Sequence, residues 1–251
     1  MIEKVKMFLR FTLAALLISG AAFHVAAQTK TFAKDSTCEP QTISLKKAST
    51  KDAASAATAA YVYEFTQPKF YISHIRIEHD TAGRGKLYFN RKGLDEPLVE
   101  NLQLSETASA RIVALWDALG FLDSSTSYQS EKEFPHLGTM RLCMKRGERE
   151  RAVEFNWTND RNAFALVNEY RRAADQTMFV FDINLAREHE PLDAPKLLDQ
   201  LDSLYTRNGL SDPQQLVALL RDLNTDERIP LIARNHAARI LKKIEKKSAK
   251  S

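Results

Sequence analysis

The chain has 251 residues and a formal net charge of +4, with 36 basic and 32 acidic side chains. Such a balance argues against the strong basic excess by which most nucleic-acid-binding proteins are recognised, so we expect no nucleic-acid partner. The length suffices for one substantial core or for one domain with an appendage.

The first 27 residues have the three parts of a secretory signal peptide. Lys4, Lys6 and Arg10 form the basic part, and residues 11–25 are almost wholly apolar. Small residues lead to Ala27, after which we expect cleavage. An uncleaved membrane anchor is the alternative, but the strongly apolar run is shorter than the roughly 20 residues that cross a bilayer. We therefore predict an exported protein, periplasmic or secreted, whose mature chain keeps a net charge of +2.

The next segment, residues 28–60, is rich in Lys, Ser, Thr and Ala and poor in large apolar side chains, which predicts a disordered polar linker. Cys38 in this linker and Cys143 in the following domain are the chain's two cysteines. In an oxidising compartment they could pair as a disulfide, and two free thiols are the alternative.

From residue 61 the chain becomes rich in aromatic and β-branched residues, which favours strands. We predict strands over four segments, 61–66, 70–79, 86–90 and 98–104, with a glycine turn between the second and the third.

Two amphipathic helices and a second hairpin follow. Ser105 is a suitable N-cap for a helix that ends at Gly120, and Asp160 is one for a helix that runs to about residue 175. Between the helices, residues 139–145 and 151–157 form the predicted hairpin.

The order of these elements predicts an α+β fold over residues 61–184. Tight turns join the strands, so the sheet should be largely antiparallel with two helices on one face. We also expect a short strand at residues 179–183.

The element order of residues 61–175, including Tyr71-Ile72-Ser73, Phe121 and Tyr128, resembles a class of small exported bacterial domains of unknown function. The resemblance implies the same α+β fold and no particular activity.

The remaining residues, 185–251, predict a helical C-terminal extension with helices near 195–207, 212–223 and 227–247. The last two resemble one HEAT-type helical hairpin. Because such units bury their apolar faces only against neighbours, we expect the hairpin to pack on the main domain or to dock on a partner.

The last helix collects basic residues on the face away from its apolar stripe: Arg239, Lys242, Lys243, Lys246 and Lys250. We predict a solvated face. A peripheral contact with anionic lipid is the alternative, since clusters of 4 to 8 cations bind such headgroups.

The densest cluster of metal-capable residues lies at the end of the second predicted strand and contains His74, Glu78, His79 and Asp80. The odd separation of the two histidines places them on opposite faces of a strand, which argues against a shared ion. We therefore predict a solvated strand end.

Other chemistry-bearing residues also have plainer interpretations. His189, between two glutamates, lies in a predicted boundary loop where exposed charge is usual. The Gly83-Arg84-Gly85 run is too short for a dinucleotide site and reads as a turn. Trp116 and Trp157 are predicted to be core residues. We accordingly expect no catalytic, cofactor-binding or metal-binding residues.

The sequence thus favours a noncatalytic exported protein that interacts with another envelope protein. One alternative is an envelope hydrolase whose site assembles from distant residues, drawing on His74, His136 or His189. A small-ligand-binding protein that uses one face of the sheet is the other.

Overall fold

The computed structural model describes Cys38 and residues 60–249, all of which belong to the compact unit Asp35–Ser251. The predicted signal peptide lies outside the described residues, and so does the predicted linker apart from Cys38 and Ala60. In the described part of the chain, no helix is both long enough and apolar enough to cross a membrane.

Six strands within the described residues form one antiparallel sheet in the order β4-β3-β2-β1-β5-β6. The strands are β1 (Ala60–Thr66), β2 (Ile72–His79), β3 (Arg84–Arg91), β4 (Leu98–Gln103), β5 (Thr139–Arg146) and β6 (Arg149–Phe155). Alternation along β1 assigns its side chains to the two faces. Tyr61, Tyr63 and Phe65 enter the core, and Glu64 lies on the opposite face with Arg76 and Arg141.

Two helices cover the core face of the sheet. The helix α1 (Glu106–Ala118) begins where the Ser105 side chain accepts a hydrogen bond from the backbone N–H of Ala108. It is followed by Gly120, whose φ of +52° is the left-handed conformation that favours glycine. The helix α2 (Arg161–His189) begins in the same way after Asp160.

The helix α2 is longer than its sequence suggested. It extends over 29 residues, so the prediction of a strand at residues 179–183 is wrong. Phe179 and Ile183 are buried one helical turn apart in a second apolar cluster, and Ala186 follows on the same face. A short apolar run is compatible with a buried strand or a buried helix, and here the packing partners favour the helix.

The second cluster joins α2 to the C-terminal helices α3 (Ala194–Thr206), α4 (Val217–Thr225) and α5 (Leu231–Ser248). Leu198, Leu220 and Ile240 are fully buried in it together with Ile183 of α2. Arg187, near the end of α2, also forms ion pairs with Asp222 and Asp226. The predicted fold class is confirmed: an α+β protein with an antiparallel sheet and C-terminal helices.

Candidate functional site

A cleft of about 640 Å³ lies at one end of the sheet, beside α2. Because the sheet is antiparallel, the ends of β1 and β6 and the starts of β2 and β5 meet at this end of the sheet. We call it the apolar cleft. Its apolar lining is Phe65, Phe70, Tyr71, Ile72, Ile75, Leu137, Met140, Phe155, Trp157, Phe164, Val167 and Met178.

Four aromatic side chains of the apolar cleft remain accessible to solvent. Phe70, Tyr71, Trp157 and Phe164 are between 36% and 65% exposed. The rings of Trp157 and Phe164 contact each other with centroids 6.5 Å apart, and Phe70 lies 6.2 Å from Phe65. Aromatic side chains contribute large apolar area when they are covered, so the wall is suited to an apolar occupant.

Two residues of the connecting loops fix the conformation of the chain at this end of the sheet. The Gln67 side-chain amide donates to the backbone carbonyls of Pro135 and His136, at 3.2 and 2.9 Å. Gly138 has a φ of +93°, and a Cβ atom there would lie 2.6 Å from the Phe65 ring. A larger residue at position 138 would therefore clash with Phe65, a residue of the cleft lining, and with the Thr66 carbonyl.

The polar end of the apolar cleft is formed by Arg171 and Asp175, one turn apart on α2. The Arg171 guanidinium lies 5.9 Å from the centre of the Phe65 ring. Burial raises the pKa of Asp175 to about 6, against the opposing charges of Arg207 and Arg171. Among the described residues, neither arginine forms an ion pair with this carboxylate.

A second cleft, of about 380 Å³, adjoins the first and shares Arg171 and Asp175 with it. We call it the polar cleft. Its remaining lining is Asn168, Arg172, Arg207, Asn208 and Gly209. The two clefts together place apolar rings on one side of Arg171 and Asp175 and polar groups on the other.

His79, predicted to lie at a solvated strand end, is buried, so that prediction is wrong. Its Nδ1 atom lies 2.7 Å from the carbonyl oxygen of Asp80, and its Nε2 atom lies 2.8 Å from the Tyr170 hydroxyl. Burial lowers the pKa of His79, although the carbonyl and charge of Asp80 oppose the shift. The turn that follows ends earlier than predicted. Gly83 has a φ of +75°, but Arg84 and Gly85 already belong to β3.

His74 lies on the opposite face of the sheet from His79, as the strand period predicts. Its Nε2 atom is 2.7 Å from Glu64, whose other oxygen is 3.5 Å from both Arg76 and Arg141. Burial opposes ionisation of Glu64, but the hydrogen bond with His74 and the nearby positive charges outweigh it and lower its pKa. This arrangement is a buried charge network.

The three histidines of the hydrolase hypothesis occupy different places. His74 belongs to the network just described, and the ring of His136 packs against Phe134 at 6.1 Å. His189 is exposed, 3.9 Å from Glu188, but it is the last residue of α2 and does not lie in the predicted boundary loop. None of them lines the apolar or the polar cleft.

Cys38 and Cys143 form a disulfide, with Cα atoms 5.7 Å apart. The Cys38 carbonyl accepts a hydrogen bond from Arg76 at 2.9 Å, and its N–H donates to Glu150. The two sulfur atoms and Glu150 are the one close group of metal-capable side chains in the described residues. Because both sulfur atoms are in the disulfide, neither is a thiolate that could bind an ion.

The sequence did not identify the cleft. Trp157, predicted as a core residue, is partly exposed on its wall, whereas Trp116 is buried as predicted. One signal was present. Phe164, Val167 and Met178 share a helical stripe with Arg171 and Asp175, and charged residues on an otherwise apolar stripe often mark a site.

No protein-family model matches the chain, and no curated protein is significantly similar to it. The resemblance to exported bacterial domains therefore stays a prediction.

Proposed function

We propose that this chain is an exported, noncatalytic binding protein whose ligand site is the apolar cleft. The observation that carries the proposal is the wall of partly exposed aromatic side chains, Phe70, Tyr71, Trp157 and Phe164, around about 640 Å³ of space. Small-molecule sites span roughly 300–1,000 Å³ and combine apolar walls with a few polar groups. Export is supported by the signal-like N-terminus and by the Cys38–Cys143 disulfide, a bond typical of oxidising compartments.

The driving force for binding follows from the lining. Each Å² of apolar surface that a ligand removes from water is worth about 25 cal/mol, and the rings already stand in place before the ligand arrives. Arg171 and Asp175 would orient a ligand by its polar end. The apolar lining of the site thus supplies the affinity, and the charged side chains of Arg171 and Asp175 determine the orientation of the ligand.

A fluorescent apolar probe tests the proposal directly. We expect N-phenyl-1-naphthylamine to bind the mature chain saturably, and Trp157→Ser and Phe164→Ser each to weaken it. Leu192→Ser is the matched control, because Leu192 is also an exposed apolar residue but lies in the helical extension, outside the cleft. The Leu192→Ser variant should bind the probe with the same affinity as the unaltered chain. A probe that did not bind, or that bound all these proteins equally, would contradict the proposal.

A second candidate function is a contact of the helical extension with another envelope protein. It is favoured by Leu192, Leu231 and Ile232, which are each at least 60% exposed. Replacing all three with serine should abolish the capture of a partner from envelope extract while leaving probe binding intact. If the mature protein is monomeric and captures nothing, this candidate is abandoned.

An envelope hydrolase has less support. Its candidate histidines, His74, His136 and His189, are not gathered around either cleft. A reaction would need at least two such groups within reach of one substrate atom.

A further inference from the structure

We infer that the ligand is a single-chain amphiphile with an anionic head, whose tail occupies the apolar cleft and whose head lies between Arg171 and Arg207. This inference rests on the proposed function and names the chemistry of the ligand for the same site. It follows from the way the two clefts join, from the charges at their junction and from the position of Asp175.

The two clefts adjoin at Arg171 and Asp175, which line both of them, and we treat them as one path for a ligand. On one side the path is bounded by rings and aliphatic side chains such as Phe65, Val167 and Met178. On the other it is bounded by Arg207 and Asn208 at the end of α3. A molecule that matched this path would be apolar along its length and polar at one end.

The charged side chains where the two clefts adjoin determine which head-group charge the site would bind. The polar cleft contains three guanidinium groups, those of Arg171, Arg172 and Arg207, and one carboxylate, that of Asp175. Arg172 already pairs with Glu169 at 3.3 Å. Arg171 and Arg207 form no ion pair within the described residues, and both are exposed. The Arg171 guanidinium also interacts with the Met140 sulfur and the Tyr63 hydroxyl. Two guanidinium groups that form no ion pair within the described residues, beside an apolar cleft, fit a carboxylate or phosphate head.

The end of α3 fixes the position of Arg207. The Arg207 N–H donates to the Ser203 carbonyl at 3.2 Å, which closes the last turn of the helix. Asn208 then adopts a φ of +54°, and the Gly209 N–H donates to the Leu204 carbonyl at 2.7 Å. This capped terminus holds its arginine beside α2 rather than on a loose loop.

Asp175 is the one acidic group of the polar cleft and opposes an anionic head while it is ionised. Its raised pKa means that the neutral form, which can donate a hydrogen bond to an anion, is reached at mildly acidic pH. The other charged or titratable side chains that share a cleft with Asp175, or interact with it electrostatically, come from all the surrounding elements: Tyr63, Tyr71, Arg91, Arg171, Arg172, Asp182, Asp199 and Arg207.

The test compares two ligands with the same tail in competition with N-phenyl-1-naphthylamine: laurate, which is anionic, and glycerol monolaurate, which is neutral. Both are used below the concentrations at which they form micelles. We expect laurate to displace the probe at lower concentration than glycerol monolaurate.

Substitutions at the junction should remove this preference. Arg171→Gln and Arg207→Gln should each weaken laurate binding about tenfold, the value of one charge-assisted hydrogen bond, and leave glycerol monolaurate unchanged. Asp175→Asn should strengthen laurate binding several-fold at about pH 7.5, where the native carboxylate is ionised. Arg221→Gln is the matched control, since this exposed arginine pairs with Glu245 outside both clefts. Thermal unfolding of each variant shows that it is folded.

The outcomes separate the two proposals. If both ligands displace the probe equally in every variant, the anionic head is wrong and the apolar site stands. A stronger effect of glycerol monolaurate, or binding to anionic vesicles without displacement by laurate, also overturns the inference. If the probe itself does not bind, the proposed function fails first.

Discussion

The Tyr170 hydroxyl group donates a hydrogen bond to the Nε2 atom of His79 across 2.8 Å, and this bond joins α2 to the end of β2. The direction is fixed by the neighbours. The Asp80 carbonyl can only accept, so the proton of His79 is on Nδ1. The indole N–H of Trp116 can only donate, and it donates to the Tyr170 oxygen at 2.9 Å. Trp116, Tyr170 and His79 thus form one buried chain that requires a neutral histidine.

Tyr170→Phe should destabilise the fold by about 2 kcal/mol, because it leaves the Trp116 N–H and the His79 Nε2 atom buried without a partner. Urea unfolding of the mature chain measures the change. Tyr71→Phe is the matched control, since Tyr71 is exposed and should lose only a few tenths of a kcal/mol. Equal stabilities of the two variants would show that the buried chain contributes nothing.

Acidification should weaken the fold through His79. The folded protein holds the pKa of this group below its ordinary value, so the unfolded chain binds the proton more readily. The contribution of His79 is therefore fully present above about pH 6.5 and decreases as the pH falls towards the lower pKa of the folded state. His79→Gln, which cannot titrate, should lose less stability between about pH 7 and pH 5. Parallel pH profiles for the two proteins would rule out this role.

A rise in pH, rather than a fall, should weaken the fold through Asp175. Its pKa is raised from 3.8 to about 6, so the neutral carboxyl favours the folded state and the benefit is lost as the pH rises through about 6. Relative to the native chain, Asp175→Asn should gain about 1–2 kcal/mol of stability between pH 4 and pH 7.5, a value reduced for partial exposure. Thermal unfolding across this range checks the sign. A stability difference that did not grow with pH would mean that Asp175 titrates normally.

The Cys38–Cys143 disulfide should stabilise the mature chain by up to about 4–5 kcal/mol from chain entropy, since the two cysteines are 105 positions apart in the sequence. The unreduced protein should migrate faster than the reduced protein in a denaturing gel. Cys38→Ser should remove this difference and lower the urea midpoint. Two thiols that react in the native, unreduced protein would show that the bond is not formed.

Much of the fold could be predicted because its signals are local. Ser105 and Asp160 begin their helices through bonds to residues three positions away, and both were identified from residue type alone. The end of α2 depended on a different kind of information. Phe179 and Ile183 are helical because α3 and its neighbours cover them. No pattern within residues 179–183 predicts those packing partners.

The site was harder to predict for the same reason. Phe65, Trp157 and Phe164 come from a strand, a loop and a helix that meet only after folding. Trp157 was predicted to be buried because it closes the predicted strand 151–157, but the strand ends at Phe155 and the tryptophan lies beyond it. Arg171 and Asp175 were visible as charges on an apolar stripe, and the cleft explains their presence there.

The length of α2 has a consequence for how the molecule unfolds. At about 1.5 Å per residue its 29 residues span roughly 43 Å, and they supply Tyr170 to one apolar cluster and Ile183 to the other. Because one helix contributes to both clusters, unfolding of either cluster would disrupt the helix that holds the side chains of the other cluster in place. The sheet and the C-terminal helices should therefore melt in a single cooperative transition, and a chain cut after His189 should leave Phe179 and Ile183 facing water.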